Sequence, residues 1–136
     1  MRSAAAVPPE PVLRWAMLLH DIGKPACFTR DAAGVGHFYD HAEKSAQMVR
    51  GILRRLRFDR RSAERIELLV RIHDRDLVCT RRSVTRALGK LGPEVLAQLL
   101  AVKRADNLAQ APAYHGRQRE LDDVERLMQE ILAENP

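Results

Sequence analysis

The chain has few aromatic residues, two cysteines and no apolar run long enough to cross a membrane. Aromatics are 4% of the 136 residues, and β-branched runs are short, which argues against a large sheet. Cys27 and Cys79 lie far apart, without the spacing of a metal-binding pair, so we expect free thiols in a reducing compartment. The first residues also lack the apolar segment of a signal peptide. Together these features predict a cytoplasmic protein that does not associate with membranes.

The length and apolar content suit one domain with its own core. Apolar residues make up 46% of the chain, and the formal net charge is +5, from 23 Lys and Arg against 18 Asp and Glu. Arginine supplies most of the positive charge, and it is densest between Arg50 and Arg65. Two interpretations of this run stay open. It is either the solvated face of a helix or a patch that faces nucleic acid or phosphate.

Proline, glycine and capping residues at the predicted helix ends indicate an all-α fold of about six helices. Pro8-Pro9-Glu10-Pro11 indicates a flexible leader over residues 1–11, followed by a single helical domain over residues 12–136. A turn-rich loop is expected at residues 25–39. The predicted helices run from about 12 to 23, 40 to 56, 59 or 62 to 74, 80 to 91 and 93 to 108, with a last one after Pro112.

One His or Asp lies on the apolar side of each of four predicted helices. Residues three, four and seven apart share a helix face, and this spacing selects His20, His41, His73 and Asp106. Alone, each has an ordinary explanation, such as a hydrogen-bonded core histidine or an aspartate paired with arginine. Together they predict a shared divalent metal, because burying several unpaired groups of this kind is costly. Asp21, directly after His20, adds a second carboxylate to the set.

With these positions in hand, the chain resembles the HD superfamily of metal-dependent phosphohydrolases. More narrowly, it resembles the HD region of bacterial CCA-adding tRNA nucleotidyltransferases and the related poly(A) polymerases, from about Leu13 to Asn107. The motifs that carry the resemblance are Leu18-Leu-His20-Asp21-Ile-Gly-Lys24-Pro, His37-Phe-Tyr-Asp-His41, Val70-Arg-Ile-His73 and Lys103-Arg-Ala-Asp106-Asn107.

The resemblance implies a set of metal ligands on these residues. His20, Asp21 and Asp106 would bind one metal, with Asp21 able to bridge to a second. His41 and His73 match the histidines that hold the second metal in two-metal members. The implied cofactor is one or two divalent transition metal ions, and the ligand types suit Fe, Mn, Ni, Co and Zn alike.

Two further residues are predicted on the substrate side. Lys24 matches a lysine that neutralises substrate phosphate, so Asp21 and Lys24 are the predicted catalytic residues. His37, in the glycine-rich loop, is predicted to bind substrate or to support the metal ligands. Asp74-Arg-Asp76 has the two-carboxylate spacing of nucleotide-transfer sites but lacks the accompanying Gly-Ser, so we interpret that spacing as a coincidence.

The chain departs from the family pattern at one end of the site. The superfamily pattern begins with an upstream histidine, but residues 1–19 contain none, and the nucleotidyltransferase head is absent from the sequence. We therefore expect a fragment or reduced form of a longer enzyme, without CCA-adding activity of its own. The main hypothesis is a phosphohydrolase acting on phosphomonoester or phosphodiester bonds of nucleotides or RNA ends. The alternatives are a non-catalytic helical module that binds tRNA or forms a homodimer around a degenerate metal site, and a nucleotide-sensing domain.

Overall fold

Five α-helices and one short β-ladder make up the described part of the chain. The computed structural model describes residues 10–24, 28–30, 36–38, 41–110 and 112–134. The elements, in chain order, are α1 (Pro11–Leu19), β1 (Phe28–Arg30), β2 (Gly36–Phe38), α2 (His41–Arg55), α3 (Arg60–Ile72), α4 (Arg81–Leu108), a 3-10 turn (Pro112–Tyr114) and α5 (Arg117–Glu134). The predicted all-α fold is confirmed. The loop expected at residues 25–39 contains the small antiparallel ladder, in which Thr29 lies opposite His37.

Helix α4 is two helical segments joined at a bend. Gly92 has φ 82° and ψ 161° inside the helix range, and Pro93 follows it. Glycine adopts this backbone conformation without steric cost, and proline at the next position begins a helical turn without needing a donor. Thr80 caps the first segment by accepting a hydrogen bond from the Ser83 amide at 3.2 Å. The two helices predicted on either side of Gly92 are therefore present.

Helix α1 ends earlier than the sequence predicts. It begins at Pro11, the last residue of the predicted leader, and its last helical residue is Leu19 rather than a residue near Gly23. The chain then turns, with backbone bonds from Ile22 to Leu19 and from Lys24 to Asp21. Residues 1–9 of the leader and Asp40, the predicted cap of α2, lie outside the described residues.

Helices α2 and α3 form a hairpin whose turn contains an arginine in the left-handed conformation. Arg57 has φ 58°. Its amide donates to the Arg54 carbonyl, and the Phe58 amide donates to the Leu53 carbonyl, each at 3.1 Å. This pair of bonds closes a helix end, and the left-handed position in it usually holds glycine. Phe58 then packs edge-on against Trp15 of α1, with ring centroids 5.1 Å apart.

The core consists of two clusters of buried apolar residues. The first joins α1, α2, α3 and the second half of α4, and the second joins α4, α5 and the end of α3. Every helix that carries a predicted metal ligand therefore contributes to the first cluster or directly adjoins it. Among the described residues, no helix combines the length and the hydropathy needed to span a bilayer.

Candidate metal centre

Two histidines occupy equivalent positions just after helices α1 and α3. His20 is the C-cap of α1 and His73 is the C-cap of α3, and both are buried. Each Nδ1 lies 2.5 Å from the carbonyl oxygen three residues earlier, that of Met17 or Val70. With Nδ1–H donating to a carbonyl, Nε2 is the nitrogen that faces the interior of the site. The two rings lie edge to face, 5.0 Å apart.

Asp21 lies at the centre of the cluster that these histidines form. Its Oδ2 is 3.0 Å from His20 Nε2, and its Oδ1 is 3.4 Å from His41 Nε2 and 3.6 Å from His73 Nε2. Asp106 Oδ1 lies 3.2 Å from His20 Nε2. The structure therefore brings together all five residues predicted as metal ligands. Their role as ligands stays a prediction.

Hydrogen bonds between imidazoles and carboxylates shift the pKa values of the cluster. Burial alone lowers the pKa of His20, but hydrogen bonds to Asp106 and Asp21 outweigh it and raise that pKa to about 10. Burial alone raises the pKa of Asp21, but hydrogen bonds from His20 and His73 hold it far below its usual range. The hydrogen bond from His20 also lowers the pKa of Asp106. Two carboxylates, of Asp21 and Asp106, therefore meet at the Nε2 of one imidazole, an arrangement that a cation would balance.

This donor set fits a divalent transition metal. Ligand atoms of His20, Asp21 and His73 all lie within 4.8 Å of one another. Imidazole nitrogen and carboxylate oxygen are accepted together by first-row metals, and a carbonyl bond at the second ring nitrogen is the usual support for a metal-binding histidine. Asp21 is partly exposed, which leaves the centre accessible from one side.

Lys24, one of the two residues predicted on the substrate side, lies at this exposed side of Asp21. Lys24 Nζ is 3.2 Å from Asp21 Oδ2, and the lysine side chain is 39% exposed. The backbone of His37 belongs to β2, but its side chain lies outside the described part of the structure.

Sequence reasoning missed Asp74. Its Oδ2 lies 3.8 Å from His41 Nδ1, at the rim of the cluster. The spacing of Asp74-Arg-Asp76 was judged only as a nucleotide-transfer motif, and the position of Asp74 directly after His73 was not used. A signal was present, because His73-Asp74 repeats the residue order of His20-Asp21.

Gly23 and Ser45 hold the turn that carries Asp21 against helix α2. The Gly23 amide donates to Ser45 Oγ at 2.7 Å, and both residues are buried. A Cβ atom on Gly23 would lie 2.6 Å from the Ser45 amide nitrogen and 3.0 Å from the His41 carbonyl oxygen. The sequence marked Gly23 only as a helix stop, whereas its function in the fold is to allow this close approach.

Lys103 fastens the end of α3 to α4. Its Nζ donates to the carbonyl oxygen of His73 at 3.2 Å and also to that of Arg75. Burial lowers the pKa of Lys103. A cavity of about 320 Å³ opens beside His73 and Asp106, and Lys103 and Arg117 are among its lining residues. Both acidic side chains, among them Asp74 and Glu120, and basic ones therefore line the space next to the cluster.

A helical fold with His and Asp side chains converging from separate helices defines a class of metal-binding domain, and comparison with known proteins identifies the family. The model of the HD domain family matches residues 7–111. The chain belongs to the HD domain family. The resemblance to the HD region of tRNA nucleotidyltransferases is also confirmed by curated relatives.

Two such relatives are bacterial enzymes named for tRNA. The chain is 37% identical over 99 residues to an A-adding tRNA nucleotidyltransferase of Deinococcus radiodurans, covering 69% of this chain and 23% of the relative. It is 34% identical over 120 residues to a CC-adding tRNA nucleotidyltransferase of Thermus thermophilus, covering 88% of this chain and 26% of the relative. The chain thus spans about a quarter of the length of either relative.

Proposed function

We propose that this protein is a metal-dependent phosphohydrolase that cleaves phosphomonoester or phosphodiester bonds of nucleotides or RNA ends. The observation that carries the proposal is the convergence of His20, His41 and His73 on Asp21, with each Nε2 within 3.6 Å of a carboxylate oxygen. Structural histidines in a core need one partner each. Three imidazoles sharing one carboxylate are better explained by a cation between them.

The ligand assignment follows the resemblance to the HD superfamily. His20, Asp21 and Asp106 would hold one metal ion, and His41 and His73 would hold a second, with Asp21 shared between the two. A bound divalent metal supplies Lewis-acid activation of water and of a phosphoryl oxygen at neutral pH. Its identity among Fe, Mn, Ni, Co and Zn is left open by these ligand types.

Residues of the chain would bind and orient the phosphate group. Lys24, at the exposed side of Asp21, neutralises a phosphate oxygen while Asp21 holds its ammonium group within 3.2 Å. Arg117 lines the neighbouring cavity of about 320 Å³, where its guanidinium group could meet another part of the substrate. Asp74 lies 3.8 Å from His41 Nδ1, on the side of that imidazole away from Asp21.

The names of the relatives suggest the substrate class. Both carry tRNA in their names, so RNA ends and nucleotides are the phosphoesters to examine first. We also propose that the protein acts in the cytoplasm, and that it is a reduced form of such an enzyme or a part of one.

Metal content and hydrolysis provide the test. Purified protein loaded separately with Mn, Co, Ni, Zn and Fe(II) is analysed for bound metal and assayed on nitrophenyl phosphate, bis-nitrophenyl phosphate, nucleotides and short RNAs. We expect about one or two equivalents of metal and metal-dependent turnover. His73→Ala and Asp106→Asn should lose both, whereas the matched changes His115→Ala and Asp123→Asn, outside the cluster, should retain both. Metal-loaded protein that is inert on the whole panel would refute the proposal.

A non-catalytic module is the second candidate. The charge of the chain favours it, because an arginine excess of this size is typical of proteins that contact nucleic acid. Such a module would bind tRNA or a second copy of itself, and its cluster would hold no metal at any added concentration. Salt-sensitive tRNA binding without metal or turnover would therefore favour the module over the enzyme.

A further inference from the structure

The net positive charge of the chain is located in one short segment. Residues 50–65 contain seven arginines and two acidic residues, a net charge of +5. The remaining 120 residues are electrically balanced, with 16 basic and 16 acidic residues. The whole net charge of the protein therefore lies at the end of α2, in the turn, and in the first half of α3.

Four of these arginines are exposed and form no salt bridge within the ranges that the structure describes. They are Arg54, Arg55, Arg57 and Arg61, which we name the arginine turn. Other arginines nearby are neutralised: Arg50 pairs with Glu67 at 2.5 Å. The arginine turn thus presents four guanidinium groups whose hydrogen-bonding capacity is available to a ligand.

Folding stability does not explain where all of these arginines are. Arg57 occupies the left-handed position that favours glycine. Arg61 lies in the first turn of α3, which contains no acidic residue, although the positive end of the helix dipole favours acidic residues there. Arg54 and Arg55 are well placed at the end of α2, and the capping carboxylate of Asp59 attracts Arg61, but Arg57 acts against local stability. A binding function accounts for Arg57 and is compatible with the other three.

The arginine turn is remote from the metal centre. Helix α2 begins at His41, and α3 ends beside His73, so the cluster lies at one end of this hairpin and the turn at the other. At 1.5 Å per residue, the 15 residues of α2 place the two ends about 20 Å apart. The arginines are therefore not part of the site already described.

We propose that the arginine turn binds the phosphate backbone of double-helical nucleic acid. Guanidinium groups bond phosphate oxygens two at a time, and four of them spread over a turn match a row of phosphates better than a single anion. Single-strand binders add aromatic side chains for stacking, but here Phe58 is packed against Trp15. Leu56 is the exposed large apolar side chain of the turn, and a single such side chain offers little to a bilayer. The proposal does not depend on hydrolysis, because the turn and the metal centre are separate.

Binding measured without metal tests this surface. Fluorescence anisotropy is recorded in EDTA with a labelled RNA duplex of about 16 base pairs, a DNA duplex of the same sequence, and vesicles containing phosphatidylglycerol. Four phosphate contacts predict a salt slope of about −3 to −4 on a DNA duplex, or roughly 100-fold weaker binding at 200 than at 50 mM KCl. Binding of both duplexes supports backbone recognition, and binding of RNA alone supports it with a preference for the A-form helix.

Charge-matched variants distinguish binding by the arginine turn from nonspecific electrostatic attraction between the protein and nucleic acid. Arg54→Gln, Arg61→Gln and Arg57→Gly should each reduce the salt slope by about one. Arg86→Gln and Arg119→Gln, on exposed positions of α4 and α5, remove the same charge elsewhere and should leave binding within about twofold. Arg57→Gly should weaken binding while raising the denaturant midpoint, which loss of folding could not produce. Equal effects from the control variants, binding to vesicles alone, or no binding to either duplex would overturn the proposal.

Discussion

Replacing Gly23 by alanine tests whether close backbone approach builds the metal centre. The added Cβ would lie 2.6 Å from the Ser45 amide nitrogen, 2.8 Å from Ser45 Oγ and 3.0 Å from the His41 carbonyl oxygen. Two of these three atoms belong to the backbone of α2, so they cannot move without shifting the helix. Either α2 or the turn that carries Asp21 must be displaced.

The cost follows from two effects at this contact. Overpacking a buried site typically costs about 1–3 kcal/mol, and weakening the hydrogen bond from the Gly23 amide to Ser45 Oγ adds about 0.5–1.5 kcal/mol. We therefore expect Gly23→Ala to lower the free energy of unfolding by about 2–4 kcal/mol. For a chain of this size that corresponds to a fall of roughly 10 °C in Tm. Metal affinity should fall as well, because Asp21 and His41 move apart.

Gly51 provides the matched control. It lies in the same region of the chain, inside α2, and a Cβ there would meet nothing within 4 Å. Gly51→Ala should raise the free energy of unfolding by about 0.5–1 kcal/mol, because alanine favours the helix. Urea unfolding and metal titration of both variants complete the test. A Gly23→Ala protein whose stability stays within about 0.5 kcal/mol of the parent, as ordinary surface changes do, would refute the steric argument.

Three further changes address individual contacts. Ser45→Ala leaves the buried Gly23 amide without its acceptor and should lower the free energy of unfolding by about 1–3 kcal/mol, measured in urea. Arg57→Gly should raise it by about 0.5–1 kcal/mol, because glycine adopts positive φ without steric cost; an unchanged midpoint would contradict this. Lys103→Met removes the donor to the His73 carbonyl and should weaken metal binding about tenfold, as loss of a supporting contact commonly does. Calorimetric titration measures that loss, and unchanged affinity would show that the His73 position does not depend on Lys103.

Periodicity within one helix made much of the site predictable. His73 follows the buried stripe of α3, and Asp106 follows that of α4, so their inward positions could be read from spacing alone. Gly92 and Pro93 likewise predicted the bend of α4, because the backbone preferences of glycine and proline are local and do not depend on contacts with other elements.

Residue spacing could not predict the contacts between different helices and turns. Helix α1 ends at Leu19 because the following turn packs against α2 through Gly23 and Ser45. The sequence gives no sign that these two residues are in contact. The position of Asp74 beside His41 depends on the packing of α3 against α2, so it could be recognised only once the two helices were placed together.

The contact between Trp15 and Phe58 has a practical consequence. Trp15 is the single tryptophan of the chain, and it joins α1 to the far end of the helix hairpin. Its fluorescence therefore reports whether α1, which leads directly into His20, is docked on the hairpin. A change in emission on adding metal would show that metal binding and the packing of α1 on the hairpin are coupled. The measurement needs no label on the protein.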